Sequence, residues 1–342
     1  MSTRKISPKF ITEVHNTVRW TLPTSDNNNI DSALVAWTEM KKMLSESVQA
    51  GRLFTTNVVS TFTLIHTATL AYYGGVLAPN GDIQFVPSSA NRGQKINASG
   101  VVSTYSLVYT AAGAYYGGVL APNGDIHFIP NSANQGQKIN ASGVVSTYSL
   151  VHTASNAYRG GVLAPNGDIH FVPYSTTVGQ KISASGVVST YLLVHTQTAA
   201  YNGGVITPNG DVHFIPQGAV IGQKINASNV VSTYTLAYQL TNPNGNYRGG
   251  VLAPNGDVHF VPYTAPIGQK INVSGVLSTY SLVYTLNSAY YGGVLAPNGD
   301  IHFIPHSANV GQKVDTLTGT VSTYTLVHTA FNGYSGGILT PS

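Results

Sequence analysis

The segment Gly117 to Thr153, GGVLAPNGDIHFIPNSANQGQKINASGVVSTYSLVHT, recurs almost letter for letter along the chain. The first glycine of its Gly-Gly pair falls at Gly74, Gly117, Gly160, Gly203, Gly249, Gly292 and Gly336, at spacings of 43, 43, 43, 46, 43 and 44 residues. A fixed period of about 40 to 50 residues restricts a chain to a repeat architecture, in which each unit buries its apolar face only against its neighbours.

One period contains four strand-like runs, each ended by turn chemistry. Run A, Gly118 to Ala121, stops at Pro122-Asn123-Gly124-Asp125, where Asn-Gly supplies the positive φ of a tight hairpin. Run B, Ile126 to Ile129, ends at Pro130 and alternates Ile126 and Phe128 against His127. Run C is Gln137 to Ala141, and run D, Val144 to Thr153, is rich in Val, Thr and Tyr, which suit a pleated surface. Four short strands per period with no helical stretch between periods predict an all-β chain folded as a closed propeller of four-stranded blades.

Residues 1–52 stand outside the repeat and read as an N-terminal arm; residues 53–342 are the propeller. Val14 and Trp20 lie in two short alternating runs, and Asp31 caps a predicted helix over 32–50 that Gly51 ends. Leu34, Trp37, Met40, Leu44 and Val48 share one side of that helix, either packing it on its own domain or serving assembly. The array opens at Val58 on a D run without A, B or C and closes at Ile338 on an A run without successors. If the two ends share one blade the count is seven, the preferred reading; six blades with two extra strands is the alternative. Either arrangement removes the exposed edges of an open stack.

The wording GGVLAPNGDIHFIP resembles the GGVL-P-(N/D)G repeats of β-propellers from bacterial and bacteriophage or other viral proteins, over roughly residues 57–341. Where many such repeats carry Ile-Asp-Pro in the third strand, this chain has Lys138-Ile139-Asn140-Ala141-Ser142 and its copies. The resemblance implies the fold; function has to come from the site.

Comparison of the copies locates the variation. The A–B turn is Pro-Asn-Gly-Asp in all six full copies, with Asp82, Asp125, Asp168, Asp211, Asp257 and Asp300, whereas the B–C and D–A loops differ throughout. Chain reversal at each turn puts those two variable loops on one face of the disc. That face collects Arg92, Tyr115, Tyr116, Arg159, Tyr174, Tyr201, Arg248, Tyr263, Tyr291 and His306, residue types enriched at binding surfaces. Relaxed constraint on exposed loops predicts the same pattern.

Other chemistry is thin. His127, His170, His213, His259 and His302 recur in run B, but Gln84 breaks the ring and a second strand does not line the channel, so no metal is expected. His66, His152, His195 and His328 alternate with Tyr109, Tyr238 and Tyr284 in run D, a pattern of packing. Lys95, Lys138, Lys181, Lys224, Lys270 and Lys313 always follow Gly-Gln and, like the turn aspartates, read as scaffold, with a repeated ion pair within or between blades as one way to use both. No cofactor motif, nucleophile elbow, P-loop or zincin motif is present, and the three glutamates all precede residue 47, which excludes a glutamate-pair glycosidase.

The net charge of +4 and pI near 9.0 come from dispersed residues and not from a basic stripe, which argues against nucleic acid. Cysteine is absent, the N-terminus shows no apolar signal core, and no run of 18 apolar residues implies membrane insertion. These features lead to the expectation of a non-enzymatic structural or attachment protein of a virion, as a bacteriophage head, tail or fibre component. Its partners would be other virion proteins, a second copy of itself, or a host surface protein or glycan. A glycan-binding, lectin-like propeller is the alternative, and cytoplasmic or non-classically exported protein the alternative location.

Overall fold

The computed structural model describes residues 62–239, 245–329 and 331–339. The chain divides into two units, 1–56 and 57–342. The predicted arm, with Leu34, Trp37, Met40, Leu44 and Val48, lies outside the described residues, as do the first residues of the opening D run.

The described residues form six antiparallel four-stranded sheets, each in simple A-B-C-D order, over residues 72–106, 115–149, 158–192, 201–235, 247–281 and 290–325, here blades 1 to 6. The all-β propeller is therefore as expected, with six four-stranded blades in place of the preferred seven. At the seventh position the described chain supplies only its two ends, neither of which forms a paired strand. Those ends nevertheless close the ring. Gly337 lies against Ile304 and Val294 of blade 6, and Ile338 lies against Gly75 of blade 1. Tyr334 is 39% exposed, whereas its counterparts Tyr115, Tyr158, Tyr201, Tyr247 and Tyr290 are fully buried beneath the strands of complete blades.

The Gly-Gly pair has two separate physical causes. The first glycine sits at a bulge, between the paired positions Tyr115 and Gly118 in blade 2, with φ of +85° at Gly117. A Cβ there would stand 3.1 Å from Gly160 Cα, and one at Gly160 would stand 3.1 Å from Gly203 Cα, so successive A strands touch backbone to backbone around the axis. The second glycine makes room for the preceding blade: a Cβ at Gly118 would meet Val76 Cγ2 at 2.8 Å. Glycine serves at both places because it has no side chain to clash and tolerates positive φ.

Each blade core packs Phe of strand B at an angle against Tyr of strand A, as in Tyr115 and Phe128 with centroids 5.7 Å apart and planes inclined by 47°, and the Tyr115 hydroxyl donates to Gln135 O at 3.0 Å. The alternating His and Tyr of run D stand edge-on to that core tyrosine, as His152 does to Tyr158 and Tyr109 to Tyr115. An aromatic edge is what the position needs, and either side chain provides one. Strand C runs Gln135–Ile139, two residues earlier than the pattern predicts, because Asn140 Oδ1 accepts from Ser142 N and Val144 N and turns the chain.

Strand D runs Val145–Ser149 and stops short of Thr153 because the next blade captures the backbone that follows. Gln180 Oε1 accepts from Val151 N at 3.0 Å and His152 N at 2.8 Å, and its Nε2 donates to His152 O. Through Oε1 alone, Gln94, Gln137, Gln223 and Gln312 accept from the two corresponding amides of the preceding connection. Replacing Gln180 with leucine keeps the volume and strands two amides, so a loss of about 2 to 3 kcal/mol in denaturant unfolding is expected. A midpoint unchanged from wild type would show that water substitutes for the amide.

The uniform face is tied by six ion pairs within blades, Lys to turn Asp, at 2.5 to 2.7 Å, from Lys95–Asp82 to Lys313–Asp300. The opposite face has variable side chains on a fixed backbone. Ser88 N donates to Ala71 O, Ala114 N to Ser88 O and Asn131 N to Ala114 O, and the chain of bonds continues blade by blade to Ala289 N on Tyr263 O, His306 N on Ala289 O and Gly333 N on His306 O. This belt of backbone hydrogen bonds joins B–C and D–A loops, so diversity there does not mean mobility.

Candidate functional site at the channel mouth

Two variable columns of the repeat converge on the axis of the diverse face. One is the residue just before Gly-Gly: Tyr73, Tyr116, Arg159, Asn202, Arg248 and Tyr291. The other is the first residue after the proline of strand B: Ser88, Asn131, Tyr174, Gln217, Tyr263 and His306. Contacts between blades that are not neighbours place these side chains at the centre. Tyr116 of blade 2 and Tyr291 of blade 6 have ring centroids 6.3 Å apart, and Asn202 Nδ2 of blade 4 donates to Tyr291 Oη at 3.0 Å. The same Nδ2 donates to Gln217 Oε1 at 2.9 Å, which fixes a buried amide floor.

Both arginines sit over tyrosine rings. The Arg159 guanidinium is 3.6 Å from the Tyr174 centroid and 4.8 Å from Tyr116; that of Arg248 is 3.5 Å from Tyr263 and 4.8 Å from Tyr291. Such contacts contribute about 0.5 to 2 kcal/mol each. Burial lowers the pKa of Arg248, with repulsion from Arg159 acting in the same direction. Burial raises the Tyr116 hydroxyl against the opposing pull of both guanidiniums.

His306 stands beside this group, its ring 5.3 Å from Tyr291 and 5.9 Å from Tyr263. Its Nδ1 is 2.8 Å from Tyr334 O. A carbonyl only accepts, so Nδ1 carries the hydrogen and Nε2 keeps the lone pair in the neutral ring. Burial lowers the pKa of His306, and Arg248 pushes it further down against the bond to Tyr334 and that to Asn332. The imidazole is thus held neutral at neutral pH, with its basic nitrogen defined.

Of the residues expected on this face, Tyr116, Arg159, Tyr174, Arg248, Tyr263, Tyr291 and His306 gather at the mouth. Three do not. Tyr115 and Tyr201 are fully buried core rings whose hydroxyls donate to Gln135 O and Ile221 O, because successive side chains of a strand point to opposite sides and the next residue takes the axis side. Arg92 is exposed at the start of strand C, away from the axis. Sequence reading missed Tyr73, stacked on Tyr116 at 4.3 Å, and Asn202, Gln217 and Tyr334. The first three sit in the two variable columns, which was the signal to follow.

The remaining chemistry is structural. His127, His213, His259 and His302 put Nδ1 3.2 to 3.3 Å from a tyrosine hydroxyl of strand D. Among the described residues no group of three or more His, Asp or Glu is placed to hold a metal ion. A cavity of about 260 Å³ opens on the uniform face between blades 3 and 4, where Asn229 replaces the turn glycine of other copies. Its lining, Ala164, Pro165, Val212, Ile225 and amides beside His170, offers one basic group and no acid.

No protein-family model matches the chain, and no curated protein does. Solved structures do. A streptogramin B lyase matches with a TM-score of 0.67 at 22% identity, over 78% of this chain and 86% of that one. Virginiamycin B lyase from Staphylococcus aureus matches at 0.66 and 19%, over 75% and 85%. A catalytically inactive variant of the latter, with quinupristin, matches at 0.65 and 20%, over 75% of this chain and 84% of that one. Likeness at this identity establishes the propeller fold.

These structures correct the expectation of a non-enzymatic virion or attachment protein, together with its glycan-binding alternative. The expectation of no enzyme rests on the absence of a catalytic motif, whereas structures of the same architecture include lyases.

Proposed function

We propose that the channel mouth is the active site of a lyase-type enzyme acting on a small molecule, with His306 as general base. The observation that carries this reading is the neutral His306, its Nδ1 committed to Tyr334 O, held beside the Arg248 guanidinium. An elimination needs a base to remove a proton from carbon and positive charge near the oxygen on which negative charge develops. Nε2 would take the proton; the C–H electron pair becomes the new double bond, the C–O bond breaks, and the departing oxygen receives the proton back from the imidazolium. Water is neither consumed nor released. The lyase structures of the same fold support the reaction class.

The test is incubation with quinupristin and a panel of esters bearing an acidic C–H next to the C–O carbon, followed by mass spectrometry. Ring opening by elimination leaves the mass of a cyclic ester unchanged, whereas hydrolysis adds one water. Wild type is expected to give the product of unchanged mass, and His306→Ala, folded to the same melting temperature, to lose at least 100-fold in rate. A product heavier by one water, or no product from any ester, overturns the proposal.

A further inference from the structure

The charges of the described chain are distributed very unevenly. The turn aspartates of blades 1 to 6 each pair with a lysine of their own blade on the uniform face. The remaining described acid, Asp315, accepts from Leu317 N and Thr318 N in a C–D turn of that same face. The described carboxylates therefore all lie at the A–B and C–D turns, and Arg159 and Arg248 share the channel mouth with tyrosines, amides and a histidine. Two guanidiniums stacked over tyrosines whose own rings meet across the axis, partly withdrawn from water and with no carboxylate beside them among the described residues, are costly to place together. The Nε atoms of both are buried and have no acceptor. Tyrosine faces hold both guanidiniums in place, and an anion accepting from both forks would balance their charge.

We infer that the substrate of this site carries a compact oxyanion, a carboxylate or phosphate group, bound between Arg159 and Arg248. The inference rests on the reading of the mouth as an active site, and it names the substrate class. Compactness follows from the geometry: Tyr116 and Tyr291 approach each other across the axis and Asn202 ties Tyr291 to Gln217, so the centre is crowded and the group held there has to be small. The remainder of the molecule lies outward, over Tyr73, Tyr174 and Tyr263, within reach of His306.

The experiment is calorimetric titration of the full chain with inorganic phosphate and with succinate at constant ionic strength set by chloride. Expected is saturable binding of at least one probe, weakened about tenfold or more by Arg159→Gln or Arg248→Gln, partly restored by the lysine variants, and equal to wild type in Arg92→Gln. Tighter phosphate points to a phosphate group, tighter succinate to a carboxylate. No saturable binding above chloride, or affinity unchanged in both glutamine variants, overturns the inference. The outcomes separate from those of the lyase test: esters eliminated without inhibition by either anion would leave the enzyme reading standing and sink this one. Anion binding lost with the arginines, with no ester eliminated, would do the opposite.

Discussion

Gly203→Val abolishes the folded propeller, whereas Gly143→Ala leaves it folded and weakened by about 1 to 2 kcal/mol. Both glycines have positive φ, +72° at Gly203 and +80° at Gly143, so both substitutions carry the backbone cost of a side chain in the left-handed region. They differ in what the new Cβ meets. At Gly143 nothing lies within 4 Å; at Gly203 the Cα of Gly249 is 2.9 Å away. That neighbour is backbone and belongs to the next blade, so relief requires widening the ring, which parts blade contacts such as Val162 against Gly204. A loss exceeding roughly 4 kcal/mol, seen as insoluble protein or a lost melting transition, is the size expected when a closed ring cannot shut. Equal melting curves for the two variants would show that the A strands move apart freely.

The propeller was legible because its cause is local and repeated. Asn-Gly between two short apolar runs specifies a hairpin wherever it occurs, and six full copies of it specify six sheets. The blade count was less legible. A D run at Val58 and an A run at Ile338 look like the halves of one blade, but strand status needs hydrogen-bonding partners, and the described ends have none of their own kind. What they retain is the glycine contact at the axis, Gly336 against Gly74, which closes the circle without a seventh four-stranded sheet among the described residues.

The site was half legible, and the reason is instructive. Variation among copies points to the face that carries the candidate site, yet Tyr115 and Tyr201 belong to a column that does not vary at all: Tyr72, Tyr115, Tyr158, Tyr201, Tyr247, Tyr290 and Tyr334. A residue identical in every blade serves what every blade needs, here the core. The adjacent column changes from Tyr to Arg to Asn, because the axis is the one place where different blades must contribute different groups to one common environment. Exposed position, as at Arg92, carries no such information. The role of Gln180 and its counterparts escaped notice for a related reason: Gly-Gln-Lys looks like part of a strand, and only the arrangement of neighbouring blades reveals that the amide crosses between them.

Acidification from pH 7 to pH 5 should destabilise the protein steeply. His127, His170, His213 and His259 are buried on strand B with pKa values lowered to about 4, by burial first and by the adjacent lysine second, against the pull of the turn aspartate. An unfolded histidine titrates near 6.5, so between about pH 6.5 and 4 the unfolded chain binds more protons than the folded one. Stability is then complete above the unfolded value and lost as pH falls through this window. With up to four protons taken up on unfolding, the slope reaches roughly 5 kcal/mol per pH unit at its steepest. Gln84 occupies the same place in blade 1, which identifies glutamine as a fitting neutral replacement. Urea midpoints measured at pH 7.5, 6 and 5 should fall sharply for wild type and far less for the variant carrying His127→Gln, His170→Gln, His213→Gln and His259→Gln. A wild-type midpoint that is flat across this range would mean these imidazoles are protonated in the fold or solvated by water. A variant as acid-labile as wild type would place the lability at His302, whose pKa is also lowered by burial, or outside strand B.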